Sequence, residues 1–226
     1  MKKGSVEYNR IYCEDCTQTM SRMDDNSVDL IITSPPFNVN KDYGVYLDAR
    51  DDYDQWITEV CKEMERVAKI AVYVFIGQWK MFVIKEALDG FSQWLWFQRT
   101  NLGLGAPRFP WIPTITPIAM SWTNGRKRMI NAQEYRTSDL ISTSGTQSNF
   151  TKDMKRVHVA QDPVKAYMPL LARTPCVSVY DPFMGSGTLA LAAIRSGKLW
   201  FGSEVSGEYI NFAKERIKNE CQISLL

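Results

Sequence analysis

The segment from Val177 to Gly197 constrains this chain more than any other. Val177 to Tyr180 (VSVY) is a short β-branched run of the kind that forms a buried strand. Asp181-Pro182-Phe183-Met184-Gly185-Ser186-Gly187 follows directly. Thr188 to Ser196 (TLALAAIRS) then reads as a helix, with Gly197 placed to end it. Glycines at a strand-to-helix turn allow a tight bend and let a ligand touch bare backbone. The helix N-terminus aims its unpaired N–H groups at the same place. Gly185, Gly187 and Ala190 satisfy the spacing G-x-G-x-x-A. Glu204 stands seventeen residues after Gly187, at the end of the next apolar run, where a carboxylate accepts from both hydroxyls of a ribose. These residues point to a nucleoside cofactor. Dinucleotide oxidoreduction is the rival, but such a unit normally opens its domain, and only 22 residues follow Glu204 here. The remaining strands must come from the N-terminal part of the chain.

Asp29 to Thr33 (DLIIT), Ile70 to Ile76 (IAVYVFI), Trp94 to Phe97, Ile118 to Trp122 and Leu199 to Gly202 are further short apolar runs bounded by turn residues, and Arg10 to Cys13 is a candidate seventh. Between them Tyr53, Trp56, Ile57, Val60, Cys61, Met64, Val67 and Ala68 recur with helical period, started by Asp52 with Gln55 as capping-box partner. Tyr209, Phe212, Ala213 and Ile217 mark another helix. Strands alternating with helices predict an α/β fold, a single mostly parallel sheet of about seven strands with helices on both faces. At 226 residues, 45% apolar and 23% charged, the chain suits one compact domain with a small irregular insertion, and collagen, coiled coil and wholesale disorder are excluded.

No apolar run approaches the roughly 18 residues needed to span a bilayer, and MKKGSVEYNR lacks an apolar signal core, so no membrane attachment is expected. Five scattered cysteines suit a reducing, cytoplasmic setting. Cys13-Glu14-Asp15-Cys16 has the spacing of half a zinc site, but there is no second such pair and His158 is the only histidine, so no metal is expected.

Residues from Thr123 to Arg156 show neither period and read as an insertion or mobile loop. Within Asn124 to Arg156, Arg126, Lys127, Arg128, Arg136, Lys152, Lys155 and Arg156 oppose Glu134, Asp139 and Asp153. That local +4 contrasts with a net +2 for the whole chain, leaving −2 for the remainder. A solvated loop explains such a stretch, but structureless loops this long inside compact domains are commonly functional.

The last informative feature is Ser34-Pro35-Pro36-Phe37, just past the DLIIT run. Two prolines stiffen the backbone and remove two N–H donors. Carbonyls and the Ser34 hydroxyl remain as acceptors, and Phe37 offers a flat face to a planar ligand. Alone, a diproline there is usually a structural stop. Together with the glycine turn, however, the chain resembles the β-class DNA amino-methyltransferases. In that family an (S/D/N)PP(Y/F) motif comes early, a target-recognition segment in the middle and DPFxGSG late.

The resemblance covers essentially the whole chain and implies a permuted, Rossmann-like class I methyltransferase. Residues 1–123 would form its catalytic half, 124–156 a target-recognition insertion and 157–226 its cofactor-binding half. It implies transfer of a methyl group from S-adenosylmethionine to cytosine N4 or adenine N6 of double-stranded DNA, in restriction-modification fashion, on a base rotated out of the duplex. Serine before the prolines leans toward cytosine. Ser34, Pro35, Pro36 and Phe37 would be catalytic. Asp15, His158, Asp181, Phe183, Gly185, Ser186, Gly187 and Glu204 would hold the cofactor, and Arg99 with the seven basic residues above would hold DNA. A homodimer and a cognate nuclease are compatible with this reading and not required by it.

Two departures stand out. Relatives commonly carry HPxQKP where this chain has His158-Val159-Ala160-Gln161-Asp162-Pro163, so Asp162 replaces a lysine. Relatives also often have a lysine soon after the tryptophan of Trp96-Phe97-Gln98-Arg99, where Arg99 stands instead. Three rival readings stand beside this one. An RNA or protein-glutamine methyltransferase would use the same tetrapeptide. A non-catalytic DNA-binding paralogue would keep the basic segment. C5-cytosine methylation would use Pro175-Cys176, but that thiol precedes the cofactor strand instead of following a different one.

Overall fold

The strand that leads into the glycine turn finds its partner about 150 residues upstream. In the computed structural model, which describes residues 6–42, 47–100, 113–123, 138–143 and 162–223, Ser178–Asp181 pairs in parallel with Val28–Thr33, Leu30 opposite Val179 and Ile31 opposite Tyr180. The pairing is fixed at both ends. At the start, the Asp29 carboxylate accepts from the N–H groups of Val177 and Ser178, at 2.8 and 3.2 Å. At the finish, the Thr33 hydroxyl donates to Asp181 across 2.6 Å.

In chain order the elements are β1 (Arg10–Tyr12), α1 (Cys16–Ser21), β2 (Val28–Thr33), β3 (Lys41–Asp42), β4 (Leu47–Asp48), α2 (Tyr53–Val67) and β5 (Ala68–Phe75). A single 3-10 turn (Gln78–Lys80) precedes α3 (Met81–Ala87), β6 (Phe91–Arg99), β7 (Ile115–Trp122), β8 (Leu140–Thr143), α4 (Val164–Arg173), β9 (Ser178–Asp181), α5 (Thr188–Arg195), β10 (Leu199–Ser203) and α6 (Gly207–Ile223). Eight strands form one sheet in the order β1-β10-β9-β2-β5-β7-β6-β8, with β7 alone running against the rest among the described residues, and β3 and β4 make a separate antiparallel ribbon.

Side chains alternate across the sheet, and both faces are covered, as a mostly parallel sheet requires. Ile31, Val72, Val74, Tyr180 and Phe201 pack against the buried sides of α1, α2 and α3. Leu30, Ile32, Tyr73, Phe75, Val179 and Trp200 pack against α4 and α5. Tyr180 stacks on Phe201 on the first face, with ring centroids 4.6 Å apart, and Phe75 stacks on Tyr167 on the second at 4.9 Å. From β2 the chain winds through α2 to β5, and from β9 it winds through α5, on the opposite face, to β10. β2 and β9 therefore flank the point where the winding reverses, and a doubly wound sheet opens a ligand crevice there, at the strands' carboxyl ends.

All seven anticipated strands are present, and the expected α/β sheet with helices on both faces is the observed one. Two details differ. Leu140–Thr143 lies in the stretch read as lacking regular structure, yet it pairs with Trp96–Arg99 as an edge strand, making the eighth. Four residues with a half-exposed Leu140 carry too little apolar pattern to announce a strand. Asp52 makes no capping bond to α2. Its carboxylate instead receives two bonds from the Arg50 guanidinium, both 2.9 Å, and Gln55 bonds Glu59, so the capping box does not form. No helix among the described residues is long and apolar enough to cross a membrane.

Candidate active site

Ser34, Pro35, Pro36 and Phe37 leave β2 as a corner that neighbouring elements hold from three sides. The Tyr53 hydroxyl, on the first residue of α2, donates to the Pro36 carbonyl at 2.6 Å. Asp48, buried at the end of β4, accepts from the N–H groups of Asn38 and Val39, at 2.9 and 3.2 Å. Asn38 exchanges two bonds with the Arg50 backbone. The Tyr53 bond occupies the Pro36 carbonyl, while the Pro35 carbonyl and the half-buried Ser34 hydroxyl are groups able to accept from a ligand.

The glycine turn after β9 is braced as tightly. Asp181 accepts from the Phe183 N–H at 3.0 Å as well as from Thr33, and the Met184 N–H donates to the Ser203 carbonyl in β10. Glu204 uses one carboxylate oxygen for the Gly185 N–H and the other for the Ser206 N–H, each at 2.8 Å. Gly187 begins α5 with φ of 79°, and a side chain there would press 3.0 Å from Ala213, so only glycine lets α5 and α6 close. Arg216 reaches from α6 to the carbonyl and hydroxyl of Ser186. Burial pulls that guanidinium down to about 10.

The two motifs meet. Thr33 adjoins Ser34, and its bond to Asp181 ties the diproline corner to the glycine turn. One turn along α2 from Tyr53, Trp56 packs edge-on against Phe183 with centroids 5.7 Å apart, so the helix that grips the diproline also touches the turn. The Glu204 N–H donates to Tyr12 at the end of β1, and three residues on, Asp15 caps α1 through the Thr17 N–H. Asp15 thus lies at the same sheet edge as Glu204.

Acidic groups are concentrated here. Asp162, Asp181 and Glu204 are 6%, 3% and 9% exposed. Burial raises the Asp181 carboxyl to about 7, against its bonds from Thr33 and Phe183, and repulsion from Glu204 and Asp162 adds to the rise. Burial also raises Glu204, opposed by its backbone donors. A cation would relieve both.

Arg99, at the end of β6, forms an ion pair of 2.7 Å with Asp162. Arg126, Lys127, Arg128, Arg136, Lys152, Lys155, Arg156 and His158 lie outside the described residues. Cys176 sits before β9, at the opposite edge of the sheet, and burial pushes its thiol up to about 11, both unsuited to a nucleophile in this crevice. Tyr53, Asp48 and Arg216 were not singled out from sequence. Tyr53 read only as a core position of the helix, and nothing local marks a hydroxyl that grips a carbonyl seventeen residues away.

The pattern of the DNA methylase family, covering N6 and N4 methyltransferases, matches residues 28–215, over four-fifths of the chain. The chain belongs to this family. Its reaction is therefore methyl transfer from S-adenosylmethionine to an exocyclic amine of DNA, cytosine N4 or adenine N6. Type II methyltransferase M.HpaI of Haemophilus parainfluenzae is 29% identical over 234 residues, spanning 93% of this chain and 74% of that protein. The fold is shared with the cytosine-N4-specific PvuII DNA methyltransferase, with a TM-score of 0.72, 18% identity and coverage of 93% and 90% of the two chains. It is shared too with M1.HpyAVI, solved with S-adenosylmethionine, at 0.67, 17% identity and 92% and 98% coverage.

The residues present fit that cofactor. Gly185 and Gly187 both take positive φ and open the backbone at the start of α5. Glu204 accepts from the Gly185 and Ser206 N–H groups, one at each carboxylate oxygen, and a carboxylate oxygen can accept more than one hydrogen bond. The buried carboxylates suit a positively charged sulfonium.

Proposed function

We propose that this methyltransferase acts on a base rotated out of duplex DNA, with cytosine N4 the favoured amine, and that Ser34 and the Pro35 carbonyl accept its two hydrogens. The observation that carries the reading is the parallel pairing of β2 with β9, closed by the Thr33–Asp181 bond, which brings the diproline corner to the glycine turn. Serine in the tetrapeptide favours cytosine.

An exocyclic amine is a poor nucleophile because its lone pair is delocalised into the ring. Acceptors that bind both hydrogens favour the pyramidal nitrogen and direct its lone pair. When bound, S-adenosylmethionine supplies a methyl group on a cationic sulfur. Placing the amine about 3 to 3.5 Å from that methyl is the main lever, and no covalent enzyme intermediate is needed. Tyr53 and Asp48 keep the corner from drifting, Glu204 holds ribose hydroxyls, and Asp15 and His158 complete the cofactor's surroundings. Phe37 stacks on the extruded base, offsetting part of the few kcal/mol that rotation costs.

Residues 124–156 act as the target-recognition segment between a catalytic half (1–123) and a cofactor half (157–226). Arg126, Lys127, Arg128, Arg136, Lys152, Lys155 and Arg156 hold phosphates there and position polar side chains against base edges. The test is direct. Mixed-sequence duplex DNA is incubated with labelled cofactor and digested to nucleosides, and label in N4-methylcytosine is expected. Label in N6-methyladenine would reverse the choice of base, and label appearing only when RNA replaces duplex DNA would end the reading.

A further inference from the structure

The three arms of a sulfonium leave in three directions, and the crevice offers different groups along each. Glu204, after β10, lies on one side of β9, and Ser34, after β2, on the other. Phe37 and Tyr53, at the diproline corner, pack with the core under α1, α2 and α3. With the ribose at Glu204 and the methyl group facing Ser34, the amino-acid arm is left with the opposite face of the sheet, covered by α4 and α5. That arm ends in an ammonium and a carboxylate. The carboxylate needs a cation, because the buried ionisable side chains here, Asp162, Asp181 and Glu204, are acids.

Arg99 stands on that face. It closes β6 at the carboxyl end of the sheet, two residues after Phe97, whose ring belongs to the core under α4 and α5. Side chains two apart in a strand share a side. Its Nη2 donates to Asp162 at 2.7 Å, and the Asp162 carbonyl accepts from the hydroxyl of Thr188, the first residue of α5, at 3.2 Å. The guanidinium is thus held two hydrogen bonds from the helix that the glycine turn opens. Together with Asp162 and Asp181 it lies within electrostatic reach of the buried Tyr167 hydroxyl. The bond to Asp162 is the side chain's sole hydrogen bond among the described residues, and the side chain is 47% exposed. The other donors of the guanidinium fork suit a planar carboxylate. By contrast, Arg50 and Lys80 lie toward α2, bonded to Asp52 and Asp54, and Arg216 is engaged with Ser186.

We propose that Arg99 binds the carboxylate at the amino-acid end of S-adenosylmethionine, and that Asp162 is the positioning residue that holds its guanidinium there. The proposal rests on the placement of the ribose at Glu204 and of the reacting methyl group at Ser34, and is independent of which base is methylated. It gives Arg99 a cofactor role in place of a DNA contact.

Calorimetry on the full chain compares S-adenosylmethionine with its decarboxylated analogue, which keeps the sulfonium and the ammonium and lacks the carboxylate. Arg99→Ala is expected to weaken S-adenosylmethionine about 10- to 100-fold, as loss of a charge-assisted hydrogen bond implies, and to leave the Kd of the analogue unchanged. Arg99→Lys, which keeps the charge without the fork, should recover part of the affinity. Asp162→Asn, which frees the guanidinium without removing it, should produce a smaller loss, again with S-adenosylmethionine alone. A merely structural role would weaken both ligands alike, and that result overturns the proposal. Wild-type affinity for both ligands, or a loss confined to DNA binding, overturns it as well. Glu204→Gln should weaken the two ligands equally. Wild-type affinity for both in that variant would overturn the ribose placement, and with it the direction assigned to the amino-acid arm.

Discussion

Arg99 and Asp162 meet in an ion pair of 2.7 Å across 63 residues of chain, one at the end of β6 and the other just before α4. They are also the two positions where the sequence departs from the resembled pattern, so the departures are coupled: an acid before α4 is matched by a base after Trp96. The pair is asymmetric, because Asp162 is 6% exposed and the Arg99 side chain 47%. Arg99→Ala leaves a nearly buried carboxylate without its guanidinium and should destabilise the protein by about 2 kcal/mol. Asp162→Asn removes the charge itself and should cost less, and the double variant should be more stable than Arg99→Ala. Urea unfolding of the four proteins measures the coupling, and strictly additive effects would mean that the pair contributes nothing. The family resemblance also makes Arg99 a candidate DNA contact. A guanidinium engaged by Asp162 should leave the salt dependence of DNA binding unchanged on mutation, whereas a phosphate contact would lower the slope by about 1.

Tyr53→Phe separates packing from positioning. The ring stays buried in the α2 face while the 2.6 Å bond to the Pro36 carbonyl is lost. Stability should fall by about 1 kcal/mol. Turnover should fall more steeply, on the order of 10-fold, because displacing the acceptors by a fraction of an ångström spoils the approach geometry. Single-turnover methyl transfer at saturating DNA and cofactor checks this. An unchanged rate constant would show that Pro35 and Ser34 keep their places without the hydroxyl.

What could be read from sequence and what could not divides by distance along the chain. β2, β5, β9 and β10 announce themselves through contiguous apolar residues, and the diproline corner and glycine turn are local patterns whose chemistry follows from residue type. α4 was hidden by Pro169, which lies inside it and ordinarily argues against a helix. α3, with seven residues, is too short to show a period. The braces were invisible for a different reason. Tyr53 to Pro36, Arg216 to Ser186 and Arg99 to Asp162 join residues 17, 30 and 63 apart, and only the sheet order brings such pairs together. The late position of the glycine unit required partner strands from the N-terminal part of the chain, but that β2 would be the one beside β9 is seen only in the structure.

Ser34→Ala tests the acceptor directly. Alanine preserves the turn and removes one of the two groups assigned to the amine hydrogens, so turnover should drop by about 10²-fold, the scale seen when one preorganised hydrogen-bonding group is deleted from a reaction centre. Cofactor affinity should hold, since the Ser34 hydroxyl is separated from the Glu204 contacts by the Thr33–Asp181 bond. Calorimetry with S-adenosylmethionine and a labelled-methyl assay give the two numbers. Turnover at the wild-type level would remove Ser34 from the chemistry.

Asp181 makes the crevice sensitive to pH. Its carboxyl is raised from an ordinary 3.8 to about 7 by burial, so the folded protein holds a proton that the unfolded chain releases. That contribution to stability is complete below about pH 3.8 and is lost as pH rises through about 7. Asp181→Asn, which cannot ionise, should therefore gain on the wild type between pH 4 and 7 in urea-unfolding midpoints. A sulfonium favours the ionised carboxylate, so S-adenosylmethionine binding should release a proton and tighten as pH rises toward 7, then level off. S-adenosylhomocysteine, whose sulfur is neutral, should show the weaker dependence. Calorimetry in buffers of different ionisation enthalpy counts the protons, and equal release with both ligands would locate the titrating group away from the sulfur.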